Sequence, residues 1–391
     1  MRDVVVIGAG PAGSLTARLL AEAGRDVVLL EEHEIIGAPV HCTGLLGLDA
    51  FTEFALPKQL VLGRAGAARL WGAAGQCVTV HSDRVEAAVI DRVALDQLLA
   101  ERARTAGVEI HLGCRAESVA VGPRGVTVRA RGLDRPIEAR ACVLACGASY
   151  RFHRQLGLGF PAVFLQSAQL EIPCCSVSQI EVRFGRAVAP GGFAWLVPLQ
   201  RDGVPSARIG LMATAKSRDR FSTFLAWLGR EVGAGRSAVQ PNFKMLPLGP
   251  VSRTYGDRVV AVGDAAGLVK PTTGGGIYYG LVSGTLAARV LEGALERDRL
   301  DASQLRKYEA AWQRRLGQEI RIGLAFRRIA ASLTDESIDD LIELARVNGV
   351  VPLLQKTASF NWHRKAAVAL LGHPAFRKIV FGSVSRERGL S

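Results

Sequence analysis

The first thirty residues leave this chain little choice of fold. An apolar run from Val4 to Ile7 meets the turn Gly8-Ala9-Gly10-Pro11-Ala12-Gly13. A helix-like stretch then reaches about Ala23, and a second apolar run, Asp26 to Leu30, ends in Glu31. Continuous β-branched residues with no polar alternation suit a parallel strand buried on both faces. Gly8 permits the tight turn, Gly10 lets the backbone approach a pyrophosphate, and Gly13 lets the helix pack close to the strand. The helix from Pro11 directs its positive end at the phosphates. Glu31 lies 18 residues past Gly13, where a carboxylate accepts hydrogen bonds from a ribose. Strand, turn, helix, second strand and terminal acid are in register, which predicts an α/β nucleotide-binding unit.

A second segment describes the other end of the same ligand. Val259 to Val262 reads as a buried strand with Asp264 just beyond it, and Gly274, Gly275 and Gly276 open a further helix. Asp264 is placed to bond ribityl hydroxyls. The free N–H groups at the helix start suit a pyrophosphate or the N1/O2 edge of a flavin ring, where the positive helix end favours an anionic reduced ring. A dinucleotide gripped at both its adenine end and its reactive ring points to FAD rather than NAD.

Several further segments carry a family resemblance. Gly37-Ala38-Pro39-Val40-His41-Cys42, Asp91-Arg92-Val93-Ala94-Leu95-Asp96, Gly192-Phe193-Ala194-Trp195-Leu196-Val197-Pro198 and Pro271 to Ile277 resemble four motifs of the geranylgeranyl reductase family. Those are FAD-dependent prenyl reductases within the p-hydroxybenzoate-hydroxylase-like flavoproteins. Leu333 to Leu341 is similar to a C-terminal helical segment of the same family, so the likeness spans most of the chain. It implies flavin contacts at Ala12, Glu31, Cys42, Thr43, Arg92, Ala116, Asp264, Gly276 and Ile277, with Cys42 beside the flavin ring. Two of these positions keep a second reading. Cys42 also fits a small buried hydrophobe, although its loop with His41 and Thr43 favours the site. Arg92 also fits a surface charge at a helix start.

Three positions depart from the pattern. Ala145-Cys146-Gly147 lacks the acid of the Ala-Asp-Gly turn in the wider hydroxylase group, Leu199 stands where a lysine often ends the aromatic motif, and Lys270 precedes Pro271 where archaeal enzymes tend to have an acid. The first argues against a ring hydroxylase; the other two leave the substrate head group open.

Composition bounds the rest. A chain of 391 residues, 49 % hydrophobic, can bury a large core in two or three units. Seven cysteines without CxxC spacing argue against a disulfide framework or a metal site. Cys142 and Cys146 suit packing roles, whereas Cys174 and Cys175 have no evident chemistry. The glycine turn interrupts the apolar start, so no signal peptide is read, and no apolar stretch reaches the roughly 18 residues that span a bilayer. A cytoplasmic enzyme is expected. The net charge is +13, and from Arg346 to Ser391 eight Lys/Arg stand against the single acid Glu387. Apolar residues such as Trp362, Phe376 and Phe381 are interleaved with them. The stretch suits a helix on the inner face of an anionic membrane or a helical tail packed on the core. No recognition motif supports nucleic-acid binding.

The order of segments predicts an α/β (α+β overall) architecture. Residues 1–70, 91–155 and 249–297 form a discontinuous, Rossmann-like FAD-binding domain of the glutathione-reductase type. Residues 71–90 and 156–248 form an antiparallel-sheet substrate domain, and 298–391 a helical C-terminal region. Without a second GxGxxG unit, NAD(P)H visits only transiently or a reduced carrier protein supplies the electrons. The resulting expectation is reduction of isoprenoid C=C bonds. Cys42 and His41 are candidates for proton delivery, and Phe193 and Trp195 either line an apolar tunnel or belong to a sheet core. A flavin monooxygenase or halogenase, and an electron-transfer flavoprotein working with quinone, are the alternatives. Oligomeric state is not readable.

Overall fold

The computed structural model describes residues 1–82, 85–173, 177–214, 217–231, 240–347, 350–357 and 359–388. Cys174 and Cys175 lie outside them. The chain alternates between two compact units, one of residues 1–40, 92–163 and 247–320, the other of 41–91, 164–246 and 321–391.

The first unit is built on an eight-stranded sheet. Its centre is the parallel set Glu109–His111, Val27–Leu30, Arg2–Ile7, Ile137–Leu144 and Val259–Ala261, in that spatial order. Val4 faces Val27 on one side and Ala141 on the other. Val4, Val5 and Val6 have no exposed surface, as expected for a strand covered on both faces. The helix Pro11–Glu22 makes the first crossover and Arg92–Thr105 leads to the outer strand Glu109–His111. An antiparallel pair, Arg115–Val121 and Val126–Arg131, extends from Ile137–Leu144.

The second unit holds a seven-stranded sheet. Its strands run Asn242–Leu248, Val163–Pro173, Val204–Ala213, Phe193–Arg201, Ile180–Arg183, Ala67–Trp71 and Cys77–His81. The pairings are antiparallel at its centre, apart from the parallel contact of Ile180–Arg183 with Ala67–Trp71. Period-two alternation sorts its residues. Leu170, Ile172, Ala194, Leu196, Ile209 and Leu211 face Phe221, Phe224 and Leu228 of the helix Ser217–Glu231. Val197, Leu199 and Trp195 instead meet Val89, Leu45 and Leu62 of a three-stranded sheet formed by Leu45–Gly47, Ala87–Ile90 and Val61–Ala65.

The residues 41–70, expected with the nucleotide-binding segments, group with the second unit, because Leu45–Gly47 and Val61–Ala65 both pair with Ala87–Ile90. Conversely, 298–320 groups with the first unit: Tyr308 Oη donates to the Ala261 carbonyl at 2.8 Å, and Glu309 accepts from Thr254. The C-terminal region is helical, as expected. Phe376, Val380 and Leu344 pack with Val78 and Leu333 in one core cluster, so much of the apolar content of the tail is spent on packing. Val368 and Phe381 remain more than half exposed.

Candidate functional site

Both ends of the nucleotide motif converge within the first unit. Gly8 adopts φ +108° and a Cβ there would run into the Ala145 carbonyl. A Cβ on Gly13 would overlap the Gly8 carbonyl and stand 2.8 Å from Ala145 Cβ, so helix Pro11–Glu22 sits directly against the strand ends. Gly10 differs, because nothing lies within 4 Å of where its Cβ would be. A pyrophosphate has room there. The helix carries no acid in its first turn and no capping side chain, leaving its positive end available.

Glu31 does more than end a strand. Its side chain is 12 % exposed, and one carboxylate oxygen accepts the Ala9 N–H at 2.8 Å while the other meets the His33 backbone N–H at 3.1 Å and ring Nδ1 at 2.6 Å. The acid braces the glycine turn. Each carboxylate oxygen has more than one lone pair, so ribose hydroxyls are still accommodated.

Asp264 stands in the short helix Gly263–Ala266, held from below by Tyr150 Oη and His153 Nε2, which meet the carbonyls of Asp264 and Ala265 at 2.6 Å each. Burial lowers the His153 imidazole from its ordinary value and drives the Tyr150 hydroxyl up, so both are neutral supports. A Cβ on Gly276 would lie 2.6 Å from Asp264 Oδ1, and one on Gly263 3.2 Å from Ala12 Cβ. Ala12 and Thr16 also press on Gly284 of the helix Ile277–Glu296, which has neither a capping side chain nor an early acid. Small residues thus let two uncapped helix starts and the Asp264 turn share one corner. Gly8, Gly10, Ala12, Gly13, Glu31, Asp264, Gly275, Gly276 and Ile277 all belong to this unit, and the arrangement fits an FAD.

Arg92 opens the helix Arg92–Thr105 and is no surface charge: its side chain is 12 % exposed and it bonds both Asp96 oxygens at 2.7 Å. Ala116 is buried in its strand, its carbonyl accepting from Arg151 at 3.0 Å. Lys270 is buried to 4 % exposure, with its Cε packed over Gly275. Where an acid is missing, burial pushes the Cys146 thiol up to about 12, which makes it a neutral packing group.

The remaining candidates collect in the second unit, on one face of its large sheet. Cross-strand partners share a face, and the register pairs Glu171 with Arg208, Arg208 with Val197, Gln169 with Gly210, and Gly210 with Trp195. Phe193 and Trp195 therefore line the same face as Gln169, Glu171 and Arg208. Phe184, Phe193 and Trp195 follow one another edge to face at 6.0 and 5.9 Å, and Gly210 leaves room for the Trp195 indole. Trp195 packs in the core cluster with Val89 and Ile180, so it is partly sheet core, yet its buried indole nitrogen has no hydrogen-bond partner among the described residues.

The loop bearing His41, Cys42 and Thr43 crosses this face. Thr43 Oγ1 donates to Gln169 at 2.7 Å, Arg208 reaches the Thr43 carbonyl at 2.7 Å, and the Gly44 N–H meets Cys42 Sγ at 3.4 Å. Gln169, Glu171, Tyr150, His153 and Arg208 were not singled out from sequence. Arg208 alone left a trace, as one cation inside the otherwise apolar run Ala207 to Ala213.

Residues 2–168 match the family model described as pyridine nucleotide-disulphide oxidoreductase. The chain is 33 % identical, over 87 % of its length and 90 % of the relative's, to digeranylgeranylglycerophospholipid reductase 2 of Methanothermobacter thermautotrophicus. A second relative of that name, from Methanopyrus kandleri, is 31 % identical over 91 % of this chain and 96 % of its own. Among solved structures, a geranylgeranyl bacteriochlorophyll reductase-like protein of Thermoplasma acidophilum superposes with a TM-score of 0.85 at 22 % identity, covering 97 % of this chain and 98 % of that one. The halogenase PltM in complex with phloroglucinol and FAD shares the fold at a TM-score of 0.69 and 15 % identity, over 100 % of this chain and 93 % of its own.

Proposed function

Because the chain belongs to the digeranylgeranylglycerophospholipid reductase family, we propose that it reduces isoprenoid C=C bonds with FAD, on a geranylgeranyl-type lipid or prenyl side chain. The observation that carries this reading is 33 % identity along 90 % of a relative of that name, joined to a nucleotide corner that fits FAD. Halogenases share the fold at 15 % identity, and the aromatic segment lacks the first Trp of their motif, so that reading ranks below.

When bound, reduced FAD supplies a hydride to one alkene carbon. The chain's own residues then have three tasks. Gly10, Glu31, Asp264 and the starts of two helices hold the dinucleotide. Phe193 and Trp195 give the prenyl chain an apolar, water-poor wall, which an unactivated alkene needs for tight positioning. A proton must reach the second alkene carbon, and the Cys42 thiol and His41 ring are the groups assigned to deliver it, the thiol proton being replaced from solvent afterwards.

Electrons come from NAD(P)H binding transiently or from a reduced carrier protein. Among the described residues no helix is long and apolar enough to cross a membrane, and contact with a membrane-borne substrate is assigned to the C-terminal stretch. The basic C-terminal stretch carries exposed Val368 and Phe381.

The deciding experiment is anaerobic. Dithionite-reduced protein is mixed with geranylgeranyl compounds and the products are weighed by mass spectrometry. Uptake of two hydrogens per double bond with flavin reoxidation is expected; no product, with fast reoxidation by oxygen or quinone, would overturn the assignment.

A further inference from the structure

Arg208 is an unusual residue to find inside a sheet. It has 1 % of its surface exposed, and a buried guanidinium is tolerated only when paired and hydrogen-bonded. Its Nε donates to Glu171, directly opposite on the neighbouring strand, at 2.9 Å. Its Nη1 donates to two backbone carbonyls, Thr43 at 2.7 Å and Ile90 at 2.9 Å. Glu171 is gripped from the other side by Arg201 at 2.6 Å, and Arg201 in turn by Asp91 at 2.8 Å. The fold thus spends a buried cation and two carboxylates on fixing one carbonyl of the loop that carries Cys42.

The consequence lies in that peptide unit. The Thr43 C=O and the Gly44 N–H belong to the same planar trans amide and point in opposite directions. Arg208 draws the carbonyl towards the sheet, and the N–H of the same amide is the one that meets Cys42 Sγ at 3.4 Å. Gly44 has φ +74°, a conformation that glycine adopts without cost and that turns the chain away directly after this amide. Thr43 Oγ1 on Gln169 prevents the amide from rotating. A charged donor on the carbonyl also polarises the amide and strengthens its N–H as a donor.

We infer that Arg208 is a positioning residue for Cys42: acting through the Thr43–Gly44 amide, it aims a strengthened N–H at the sulfur and stabilises negative charge there when the thiol gives up its proton. The inference rests on the proton-delivery role proposed for Cys42, but its test needs neither flavin turnover nor prenyl substrate.

Full-length protein is treated with iodoacetamide at neutral pH, and the alkylation rate of Cys42 is followed by peptide mass spectrometry with Cys77 as internal reference. Because the thiolate is the reacting form, Arg208→Gln should slow Cys42 by about tenfold, the loss expected for one charge-assisted hydrogen bond, with Cys77 unchanged. Arg208→Lys should recover part of the rate. Glu171→Gln, which leaves Arg208 present but less firmly held, should slow Cys42 by a smaller factor. An unchanged or faster Cys42 rate in Arg208→Gln at wild-type melting temperature overturns the inference. If that variant does not fold, unchanged rates in both Arg208→Lys and Glu171→Gln do so. Failure of the functional reading appears separately, as Cys42→Ser retaining full alkene reduction while the alkylation series behaves as expected.

Discussion

Gly10 and Gly13 are one turn of chain apart, yet they lack a side chain for opposite reasons. At Gly13 the space is filled by the Gly8 carbonyl and Ala145; at Gly10 it is open. Gly13→Ala should therefore force the helix off the strand, costing about 1–3 kcal/mol as overpacking does, and release flavin; a melting curve and the flavin absorbance of the purified variant check this together. Gly10→Ala should keep the melting temperature of the flavin-free protein and weaken only cofactor retention. Cys42→Ser is expected to lower the single-turnover rate of alkene reduction by about a hundredfold or more, within the range of a lost general acid, and rapid-quench mass spectrometry reads it directly. Such glycines and the terminal acid Glu31 were legible because each is demanded by local geometry at fixed spacing. The partners of Glu31 were not: that its carboxylate also braces Ala9 depends on two strands lying side by side.

Among the elements, the strands of the nucleotide corner read clearly, since Val4–Ile7, Cys142–Leu144 and Val259–Ala261 are continuous apolar runs with no other soluble use. Val61–Ala65, Ala67–Trp71 and Cys77–His81 did not, because their apolar and polar residues are mixed, and Val61–Ala65 and Ala67–Trp71 also pair with strands distant in sequence. The same distance hid the polar face of the large sheet, whose members Gln169, Glu171, Arg201 and Arg208 become neighbours only through register. That face has a pH signature. Burial alone would raise the Glu171 carboxyl, but Arg201 and Arg208 outweigh it and hold the group below its ordinary value. A depressed carboxyl stabilises the fold above its unfolded value, about 4.3, and that contribution disappears as pH falls through the folded value. The melting-temperature gap between wild type and Glu171→Gln should accordingly be constant from neutral pH down to about 4.3 and close below it. A gap independent of pH would mean that the ion pairs contribute nothing.

At the level of the whole molecule, charge is the property that extends beyond any one site. A formal charge of +13, concentrated towards the C-terminus, should give co-sedimentation with vesicles containing phosphatidylglycerol at low ionic strength. That binding should be lost at about 1 M salt, where the screening length is near 3 Å. Lys365→Glu combined with Lys378→Glu should weaken the binding without affecting flavin content. Retention at high salt would instead assign the contact to exposed apolar residues such as Phe381. The division of the chain was harder to read than its charge: two of the expected borders, near 70 and 298, fall inside stretches whose loyalties are decided by long-range pairing.

The order of strands in the nucleotide-binding sheet also has a bearing on biosynthesis. Arg2–Ile7 precedes every other strand of this sheet in the chain, yet it occupies the middle, with a neighbour on each side supplied by Val27–Leu30 and by Ile137–Leu144. The strand Val259–Ala261 and the Asp264 turn arrive later still. Until residue 144 has been made, this largely apolar strand has one edge without its partner, in the condition that invites intermolecular pairing. A nascent chain halted near residue 130 should thus be a substrate for chaperones, and the glycine turn it already displays has no ring-side partner until the Asp264 turn has been made.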